Sequence, residues 1–106
     1  MISLAIPVLN NLNHTRNILL NIKDCVEIPE ELFIIDDGST EDIKSLVSEF
    51  KTLNIKYIRH EQSMGFNYSC NEAIKLSIGE YISFFNNDLI LNKFVFKKIL
   101  ICLFFK

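Results

Sequence analysis

Two adjacent carboxylates, Asp36 and Asp37, directly follow an apolar run over residues 32–35 and precede the pair Gly38-Ser39. A continuous apolar run is typical of a buried parallel strand, and the carboxyl ends of such strands form the ligand-binding edge of an α/β sheet. Carboxylates there can accept hydrogen bonds from a base or from ribose hydroxyls. The segment therefore predicts a parallel α/β fold with a ligand site where this strand ends. On its own, it is also typical of a plain turn and helix cap.

A second polar cluster, Asn86-Asn87-Asp88, follows another apolar run over residues 81–85. Because the carboxyl ends of parallel strands meet at one edge of a sheet, we expect this cluster to lie near Asp36 and Asp37. The two clusters together predict a nucleotide with its metal. A polar exit from a strand into a loop is the simpler alternative for the second cluster.

Composition excludes several classes of protein. The 106 residues allow one domain, and the formal net charge of −2 offers no basic field for nucleic acid or anionic lipid. Cys25, Cys70 and Cys102 are odd in number and lie in apolar patterns, so we interpret them as reduced core thiols rather than disulfides or zinc ligands. No run reaches the roughly 18 to 20 apolar residues that span a bilayer, and no basic region precedes the first apolar stretch. A cytoplasmic domain is expected.

Strand and helix patterns alternate along the chain. Strands are predicted over residues 2–8, 32–35, 55–58 and 81–85. The first helix is predicted to begin at an Asn13 N-cap, and the second at Ser39 with Asp42 completing a capping box. The third is predicted to begin near Asn67 and to end at Gly79. This alternation predicts right-handed crossovers and a mainly parallel four-stranded sheet with helices on both faces.

The last two helices differ in their apolar patterns. The third is expected to direct Cys70, Ala73 and Ile74 toward the core. The fourth, from Asn92 onward, is apolar on nearly all sides and so needs partners on every side. We expect self-association through this helix, or a continuation of the protein that covers it. Peripheral contact with a membrane surface is a weaker alternative, because few charges flank the segment.

Four groups of residues occur in the order and at the spacings of the family 2 glycosyltransferases. They are residues 3–10, residues 35–40, residues 65–66 with 71–74, and residues 79–82 with 86–88. The resemblance implies a GT-A fold, whose N-terminal half binds a nucleotide-sugar donor and whose C-terminal half binds the acceptor and carries the catalytic base. It implies that residues 1–106 are the donor-binding half alone, truncated after the metal motif, with no catalytic residue. The acceptor would be a glycan or a lipid-linked glycan.

The resemblance also implies roles for single residues. Asp37 would accept a hydrogen bond from the nucleobase edge, with Asp36 assisting. Asp88 matches the last Asp of an Asp-X-Asp motif and would bind the Mg²⁺ or Mn²⁺ ion that bridges the diphosphate. Asn86 stands where the first Asp usually is, and this Asn-Asn-Asp version is similar to that of rhamnosyltransferase-type members. The residues implied to bind the nucleotide-sugar are Pro7, Asn10, Asp36, Asp37, Gly65, Asn71, Asn87 and Asp88.

Other interpretations remain open. Asn71 is typical of a solvated helix residue, and His14 and His60 lie in polar stretches without metal-ligand spacing, which indicates surface histidines. The alternative function is a non-catalytic nucleotide-binding remnant or module of the same fold. A receiver or flavin-binding domain is disfavoured, because the chain lacks a late strand with a lysine and a glycine-containing loop after the first strand.

Overall fold

Four strands and four helices alternate along the part of the chain that the computed structural model describes, the backbone of residues 2–104 and the side chains of residues 2–99. In chain order they are β1 (Ile2–Val8), α1 (Leu12–Lys23), β2 (Glu31–Asp36), α2 (Ile43–Ser48), β3 (Ile55–Arg59), α3 (Phe66–Leu76), β4 (Tyr81–Phe84) and α4 (Val95–Phe104). The predicted alternation of strands and helices is confirmed. The bounds of β1 match the prediction, and those of the other strands differ from it by at most one residue.

The sheet has the strand order β3-β2-β1-β4, and all of its pairings are parallel. The chain runs outward from β1 through β2 to β3 and then returns past β1 to form β4. With right-handed crossovers, this reversal puts α1 and α2 on one face and α3 on the other. The reversal leaves a switch point between β1 and β4, and ligands of such sheets bind beyond the carboxyl ends of the strands at that point.

Each face of the sheet has its own apolar core. The larger core joins α1, α2 and α4 to the sheet, and its buried residues include Leu4, Ile6, Val8, Ile18, Leu19, Ile22, Leu32, Ile34, Ile43, Leu46 and Phe96. The smaller core lies under α3 and contains Ala5, Phe33, Ile35 and Ala73. Successive residues of β1 and β2 therefore alternate between two cores, which explains why these strands are apolar at nearly every position.

The start of α1 is capped from a distant loop. Its N-cap residue, Asn11, has a left-handed backbone and makes no side-chain cap. Instead, the carboxylate of Glu41 accepts the backbone N–H of Asn11 at 3.1 Å and that of Leu12 at 3.3 Å. These bonds satisfy two of the donors that a helix start leaves free. The predicted N-cap at Asn13 is wrong, because the left-handed turn at Asn11 starts the helix two residues earlier.

The predicted start of α2 is also wrong. Asp42, rather than Ser39, is the N-cap, and its carboxylate accepts the backbone N–H of Ser45 at 3.1 Å. The hydroxyl of Ser39 is used elsewhere, since it accepts the N–H of Asn10 at 2.8 Å.

α3 ends earlier than predicted, at Leu76 rather than at Gly79. The backbone N–H of Gly79 donates to the hydroxyl of Ser3 at 3.0 Å and so ties the loop to β1. Ala73 is buried against the sheet as expected, whereas Ile74 is half-exposed and does not point inward. A single helix covers this face, so the flank of α3 that carries Ile74 faces solvent.

α4 packs on the larger core through Phe96, whose ring stacks on that of Phe85 with 5.8 Å between centroids. Phe94 is 39% exposed. The prediction of an apolar surface on nearly all sides falls in part on side chains after residue 99, which lie outside the described residues. Within residues 2–104, no helix is both long enough and apolar enough to cross a bilayer.

The cysteines that the structure describes are free thiols, as predicted. Cys25 is buried and Cys70 is half-buried. Cys102 lies outside the described side chains.

Candidate functional site

The loops that follow the strands meet at the carboxyl edge of the sheet. The register places Val8 opposite Asp36, and Asp36 opposite Arg59, so β1, β2 and β3 end at one level. The backbone continues this alignment, because the N–H of Asp37 donates to the carbonyl of Val8 at 2.8 Å and that of His60 to the carbonyl of Asp36 at 2.9 Å. Residues 9–11, 37–42, 60–65 and 85–94 are referred to below as the carboxyl-edge loops. They carry most of the predicted site residues.

Asn10 connects the loop after β1 to the loop after β2. Its backbone has a φ of 60°, a left-handed conformation that Asn tolerates better than most residues. Its Oδ1 atom accepts the backbone N–H of Thr40 at 2.9 Å and that of Glu41 at 3.2 Å. Since Asn10 also donates to Ser39, it fixes the second loop at three positions.

Asn87 connects the loop after β4 to the start of α1. Its Nδ2 atom donates to the hydroxyl of Thr15 at 3.1 Å and, over 3.5 Å, to the carbonyl of Asn10. Thr15 is fully buried, and its own hydroxyl donates to the carbonyl of Asn11 at 3.1 Å. The loop that carries Asp88 is therefore held against the β1–α1 turn, across the switch point of the sheet.

Asp88 is exposed and borders a cavity of about 230 Å³ that His14 and Asn87 also line. Within the described side chains, no three His, Cys, Asp or Glu residues are grouped so that they could hold a metal ion. Mg²⁺, however, is often held by one or two protein carboxylates together with substrate phosphates. Asp88 offers such a carboxylate, and the amide oxygen of Asn86 in the same cluster is a further oxygen donor. The residues present fit a cation shared with a ligand better than one held by the protein alone.

Asp36 is fully buried, and both of its carboxylate oxygens are used inside the chain. Oδ1 accepts the backbone N–H of Ser39 at 2.9 Å, and Oδ2 accepts the hydroxyl of Tyr57 and, at 2.9 Å, the guanidinium of Arg59. Burial, together with the hydrogen bond to Asp36 and its charge, raises the pKa of Tyr57 to about 12. Arg59 also donates to the carbonyl of Ser39 at 3.1 Å. Asp36 therefore stabilises the turn that follows β2 and positions the guanidinium of Arg59 at the carboxyl edge of the sheet.

Asp37 accepts four hydrogen bonds from the loop after β3. Its Oδ1 atom lies 2.7 Å from His60 Nδ1 and 2.8 Å from the N–H of Met64, and its Oδ2 atom lies 2.8 Å from the hydroxyl of Ser63 and 3.0 Å from the N–H of Gly65. Burial alone would raise the pKa of Asp37, but these bonds outweigh it and lower the pKa to about 2. A carboxylate has about four lone-pair sites, so donors of the chain itself fill them. A base can donate to Asp37 only after one of these donors moves.

His60 is not a surface residue, so that prediction is wrong, whereas His14 is exposed as expected. The side chain of His60 is 8% exposed and lies between two carboxylates, with Nδ1 2.7 Å from Asp37 and Nε2 2.7 Å from Glu72. Its ring meets that of Tyr68 edge-on, with 5.3 Å between centroids. No local pattern signals this environment, because Asp37 and Glu72 are 23 and 12 positions away in the sequence.

Two glycines of the carboxyl-edge loops have positive φ angles. Gly38 and Gly65 have φ angles of 87° and 95°, which side-chain-bearing residues rarely adopt. A Cβ atom on Gly38 would lie 3.0 Å from the backbone nitrogen of Ser63, whereas one on Gly65 would meet nothing within 4 Å. Gly38 is therefore required for both its conformation and its close contact, and Gly65 for its conformation.

Three cavities lie along the carboxyl edge and share wall residues. One of about 300 Å³ is lined by Asp36, Arg59 and the start of α2, and a second of about 370 Å³ is lined by residues 11–14 and Glu41. The third is the cavity beside Asp88. Glu41 borders the first two and His14 the last two, and the series of cavities from Arg59 to Asp88 is referred to below as the groove.

Of the predicted site residues, Asp36, Asn87 and Asp88 line this groove. Asn71 is exposed on α3 and lines a separate cavity with Tyr68, Glu72 and Lys75. Pro7 is half-buried near the end of β1, opposite Ile35. The structure thus brings seven predicted residues to the carboxyl ends of the strands and the loops that follow them: Pro7, Asn10, Asp36, Asp37, Gly65, Asn87 and Asp88.

Sequence reasoning missed several residues that shape this edge. Arg59 could have been found, because it lies opposite Asp36 on neighbouring strands, and opposite charges at such positions form cross-strand pairs. Tyr57 lies on the same face of β3 as Arg59, two residues earlier. Glu41 and Thr15 carry no comparable signal, since their partners come from other loops.

Comparison with known proteins places the chain in a family. Residues 3–100 match the family described as Glycosyl transferase family 2. The chain belongs to glycosyl transferase family 2. The match covers most of the chain and confirms the resemblance inferred from its motifs.

The curated relatives are much longer than this family 2 domain. An uncharacterized glycosyltransferase of Rickettsia conorii is 38% identical over 88 residues, which are 82% of this chain and 14% of that protein. The putative glycosyltransferase EpsH of Bacillus subtilis is 24% identical over 88 residues, again 82% of this chain and 26% of that protein. The chain therefore spans only 14% and 26% of the length of these relatives.

Solved structures confirm the GT-A fold. A crystal structure of S. aureus TarS has a TM-score of 0.85 and 25% identity, covering 94% of this chain and 31% of that chain. TarS has also been crystallised with UDP-GlcNAc, in a structure with a TM-score of 0.80 and 27% identity. The mannosyltransferase PcManGT of Pyrobaculum calidifontis, in complex with GDP-Man and Mn²⁺, has a TM-score of 0.84 at 18% identity, covering 93% of this chain and 31% of that chain, and shares the fold.

Proposed function

We propose that this family 2 domain binds a nucleotide-sugar donor for transfer to a glycan or lipid-linked acceptor. The observation that supports the proposal most is that side-chain hydrogen bonds hold three of the carboxyl-edge loops together at the switch point of the sheet. There Asn10 holds the loop after β2 and Asn87 holds the loop that carries Asp88. Switch points of α/β sheets are where such ligands bind. The likeness to TarS, which has been crystallised with UDP-GlcNAc, supports a nucleoside diphosphate-sugar as the ligand class.

In this proposal the donor lies along the groove from Arg59 to Asp88. The nucleoside lies near the buried carboxylate of Asp36, and the diphosphate near Asp88. Asp37 and Gly65 shape the site through the loop that they hold, and Pro7 and Asn10 through the β1–α1 turn. Asn71 is the least supported member of the predicted set, because it lines a different cavity.

A Mg²⁺ or Mn²⁺ ion bound with the donor would neutralise the charge that develops on the departing diphosphate. Asp88 is the proposed protein ligand, because its carboxylate is exposed beside the groove rather than used in an internal hydrogen bond like Asp36 and Asp37. One carboxylate gives a weak site by itself, so we expect the metal and the diphosphate to bind together.

Sugar transfer also requires a base for the acceptor hydroxyl. Neither Asp36 nor Asp37 is placed for this role, because donors of the chain occupy their oxygens. We propose that the base and the acceptor site belong to a part of the enzyme other than the carboxyl edge described above. The same observation favours a second candidate function, a nucleotide-binding module without turnover.

Isothermal titration calorimetry with UDP, dTDP, GDP and CDP, each with and without Mn²⁺, tests the proposal. We expect at least one diphosphate to bind, and more tightly with the metal. Asp88→Asn should abolish the gain that Mn²⁺ gives, while binding of the free nucleoside stays the same. Asp24→Asn, which changes an exposed carboxylate at the opposite end of α1, is the matched control.

Loss of a residue that only supports a metal ligand typically costs about 10- to 100-fold in metal affinity, so loss of the ligand carboxylate in Asp88→Asn should weaken metal-dependent diphosphate binding at least about tenfold. If none of the four diphosphates binds to the folded chain, the proposal is wrong. If Mn²⁺ strengthens binding equally in Asp88→Asn and in the unchanged protein, the metal role of Asp88 is wrong.

A further inference from the structure

His60 lies between two carboxylates that belong to different elements. Asp37 follows β2 and lies 2.7 Å from His60 Nδ1, and Glu72 lies on α3, 2.7 Å from His60 Nε2. The side chains of His60 and Asp37 are 8% and 9% exposed, and that of Glu72 is 28% exposed. The pair of contacts therefore joins the ends of β2 and β3 to α3 in a site largely closed to water.

The chemistry of the contacts determines the protonation of the ring. An ionised carboxylate can only accept hydrogen bonds, and a neutral imidazole has a single N–H donor. Each ring nitrogen of His60 lies at hydrogen-bond distance from one ionised carboxylate, so each ring nitrogen must carry an N–H. The geometry is that of an imidazolium that donates once to Asp37 and once to Glu72.

The other groups around His60 do not compete for these bonds. Tyr68 of α3 contributes the edge of its ring, and Ser63 donates its hydroxyl to Asp37 rather than to His60. The neighbouring cation, Arg59, is directed to Asp36 and to the carbonyl of Ser39. The charges that face the imidazole are thus the carboxylates of Asp37 and Glu72.

We propose that His60 is a positioning residue whose imidazolium form fixes residues 63–65 on Asp37, and that loss of its proton releases this loop. The loop depends on Asp37 for its place, because the hydroxyl of Ser63 and the backbone N–H groups of Met64 and Gly65 all donate to that carboxylate. A neutral ring would turn a lone pair toward one of the two carboxylates. The assignment of this loop to the donor site rests on the proposed function.

The direction of the pH dependence follows from linkage. Burial alone would lower the pKa of His60, but the hydrogen bonds to Asp37 and Glu72 and their charges outweigh it, so the pKa is raised. In the released loop, His60 would have its ordinary pKa of about 6.5. The two hydrogen bonds of the His60 imidazolium are referred to as the bridge, and the fixing of residues 63–65 on Asp37 as loop closure. The contribution of the bridge to the free energy of loop closure is therefore complete below about pH 6.5 and is lost as the pH rises through the raised pKa. Closure weakens about tenfold for each pH unit that separates the two pKa values.

Nuclear magnetic resonance of the full chain tests this inference by two measurements. Ring ¹⁵N shifts of His60 should show both nitrogens protonated at pH 6 and a pKa above 6.5. The exchange of the Met64 and Gly65 amides, corrected for intrinsic base catalysis, should lose protection from pH 6.5 up to that pKa. The total loss of protection should be about tenfold for each unit by which the measured pKa of His60 exceeds 6.5. A histidine whose protonation is not coupled to the loop would not produce this relation.

Three variants complete the experiment. His60→Gln should expose the two amides at every pH and remove the pH-dependent part of their exchange. Glu72→Gln keeps His60 and replaces one carboxylate by an amide of the same shape. It should lower the pKa of His60 and narrow, by the same amount, the pH range over which the two amides lose protection. His14→Gln changes the other histidine, which is exposed, and should leave the exchange of these amides unchanged.

Several results would overturn the inference. They are a neutral His60 ring at pH 6, amide protection that does not change with pH, and the same pH dependence in His60→Gln as in the unchanged protein. Calorimetry with UDP at pH 6 and above the His60 pKa separates this inference from the proposed function. Equal UDP affinity at both pH values would overturn only the positioning role of His60 in the donor site. No UDP binding at either pH would count against UDP as the ligand, while the amide exchange would still decide whether the bridge holds the loop.

Discussion

The side-chain nitrogen of Asn87 lies 3.1 Å from the hydroxyl oxygen of Thr15, so a buried residue of α1 holds the loop that carries Asp88. Water cannot replace this acceptor, because Thr15 is fully buried. The position of the only acidic residue in the Asn-Asn-Asp cluster is thus set in part by a residue outside it.

Thr15→Val should release the Asn87 side chain, because valine has the shape of threonine without its hydroxyl. A neutral hydrogen bond is worth about 1 kcal/mol, so exchange of the Asn87 side-chain amide protons should become roughly fivefold faster. Thr15→Ser keeps the hydroxyl and should leave this exchange nearly unchanged. Equal exchange in Thr15→Val and in the unchanged protein would contradict the role of this contact.

Asp37→Asn should destabilise the fold by about 1 to 3 kcal/mol. The NH₂ group that replaces one carboxylate oxygen cannot accept hydrogen bonds, so at least one buried donor among those on Asp37 loses its partner. Urea unfolding followed by circular dichroism measures the loss. Asp42→Asn is the matched control, because asparagine caps a helix about as well as aspartate and Asp42 is exposed. A similar loss in both variants would contradict the special position of Asp37.

The stability of the protein should also fall in acid because of Asp37. Its pKa is lowered from 3.8 to about 2, so the carboxylate contributes stability above pH 3.8 that is lost as the pH falls through about 2. The difference between these two pKa values corresponds to about 2 kcal/mol in the free energy of unfolding. Urea unfolding at pH 5 and pH 2 should show this loss in the unchanged protein and a smaller one in Asp37→Asn. An equal loss in both proteins would assign the acid sensitivity to other carboxylates.

Gly38→Ala should destabilise the protein by about 1 to 3 kcal/mol through its left-handed backbone. It should also move the loop after β3, because the added Cβ would lie 3.0 Å from the nitrogen of Ser63. Gly65→Ala has a similar backbone cost but open space around its Cβ. Gly38→Ala should therefore shift the backbone amide resonance of Ser63 more than Gly65→Ala does, and an equal shift in both variants would contradict the close approach.

Phe96→Ala should cost about 3 to 5 kcal/mol, because Phe96 is buried in the larger core and stacks on Phe85. Phe94→Ala removes the same ring from a position that is 39% exposed and should cost much less. The free energy of unfolding in urea distinguishes the two variants. Equal losses would show that α4 does not pack on the sheet through Phe96.

The strands were predictable because each of them has the short, mostly apolar sequence pattern that is typical of a strand. Residues of β1 and β2 alternate between two cores, so both strands are continuously apolar whichever face they meet. The position of Asp36 and Asp37 at the end of β2 follows from the same pattern. β4 lies beside β1 in the strand order, so the loop after β4 comes next to the loop after β1. This neighbourhood brings Asn87 close to the β1–α1 turn.

The cap of α1 and the environment of His60 were not predictable from local patterns. Each cap was assigned to a residue near its own helix, whereas α1 is capped by Glu41 from the loop after β2. His60 lies in a polar stretch, and only the approach of α3 to the end of β2 buries it. Ile74 was expected inside because its helix is apolar there, but the single helix on that face leaves its flank exposed.

The contacts between Asn10 and Glu41 have a consequence for folding during synthesis. The side chain of Asn10 accepts two backbone N–H groups of the loop after β2, and the side chain of Glu41 accepts two backbone N–H groups at the start of α1. Each loop thus supplies the acceptors that the other lacks. Because a nascent chain emerges N-terminus first, α1 can form before this exchange but cannot obtain its cap until Glu41 has left the ribosome. The first helix of the chain therefore reaches its final form only after the second strand has been made.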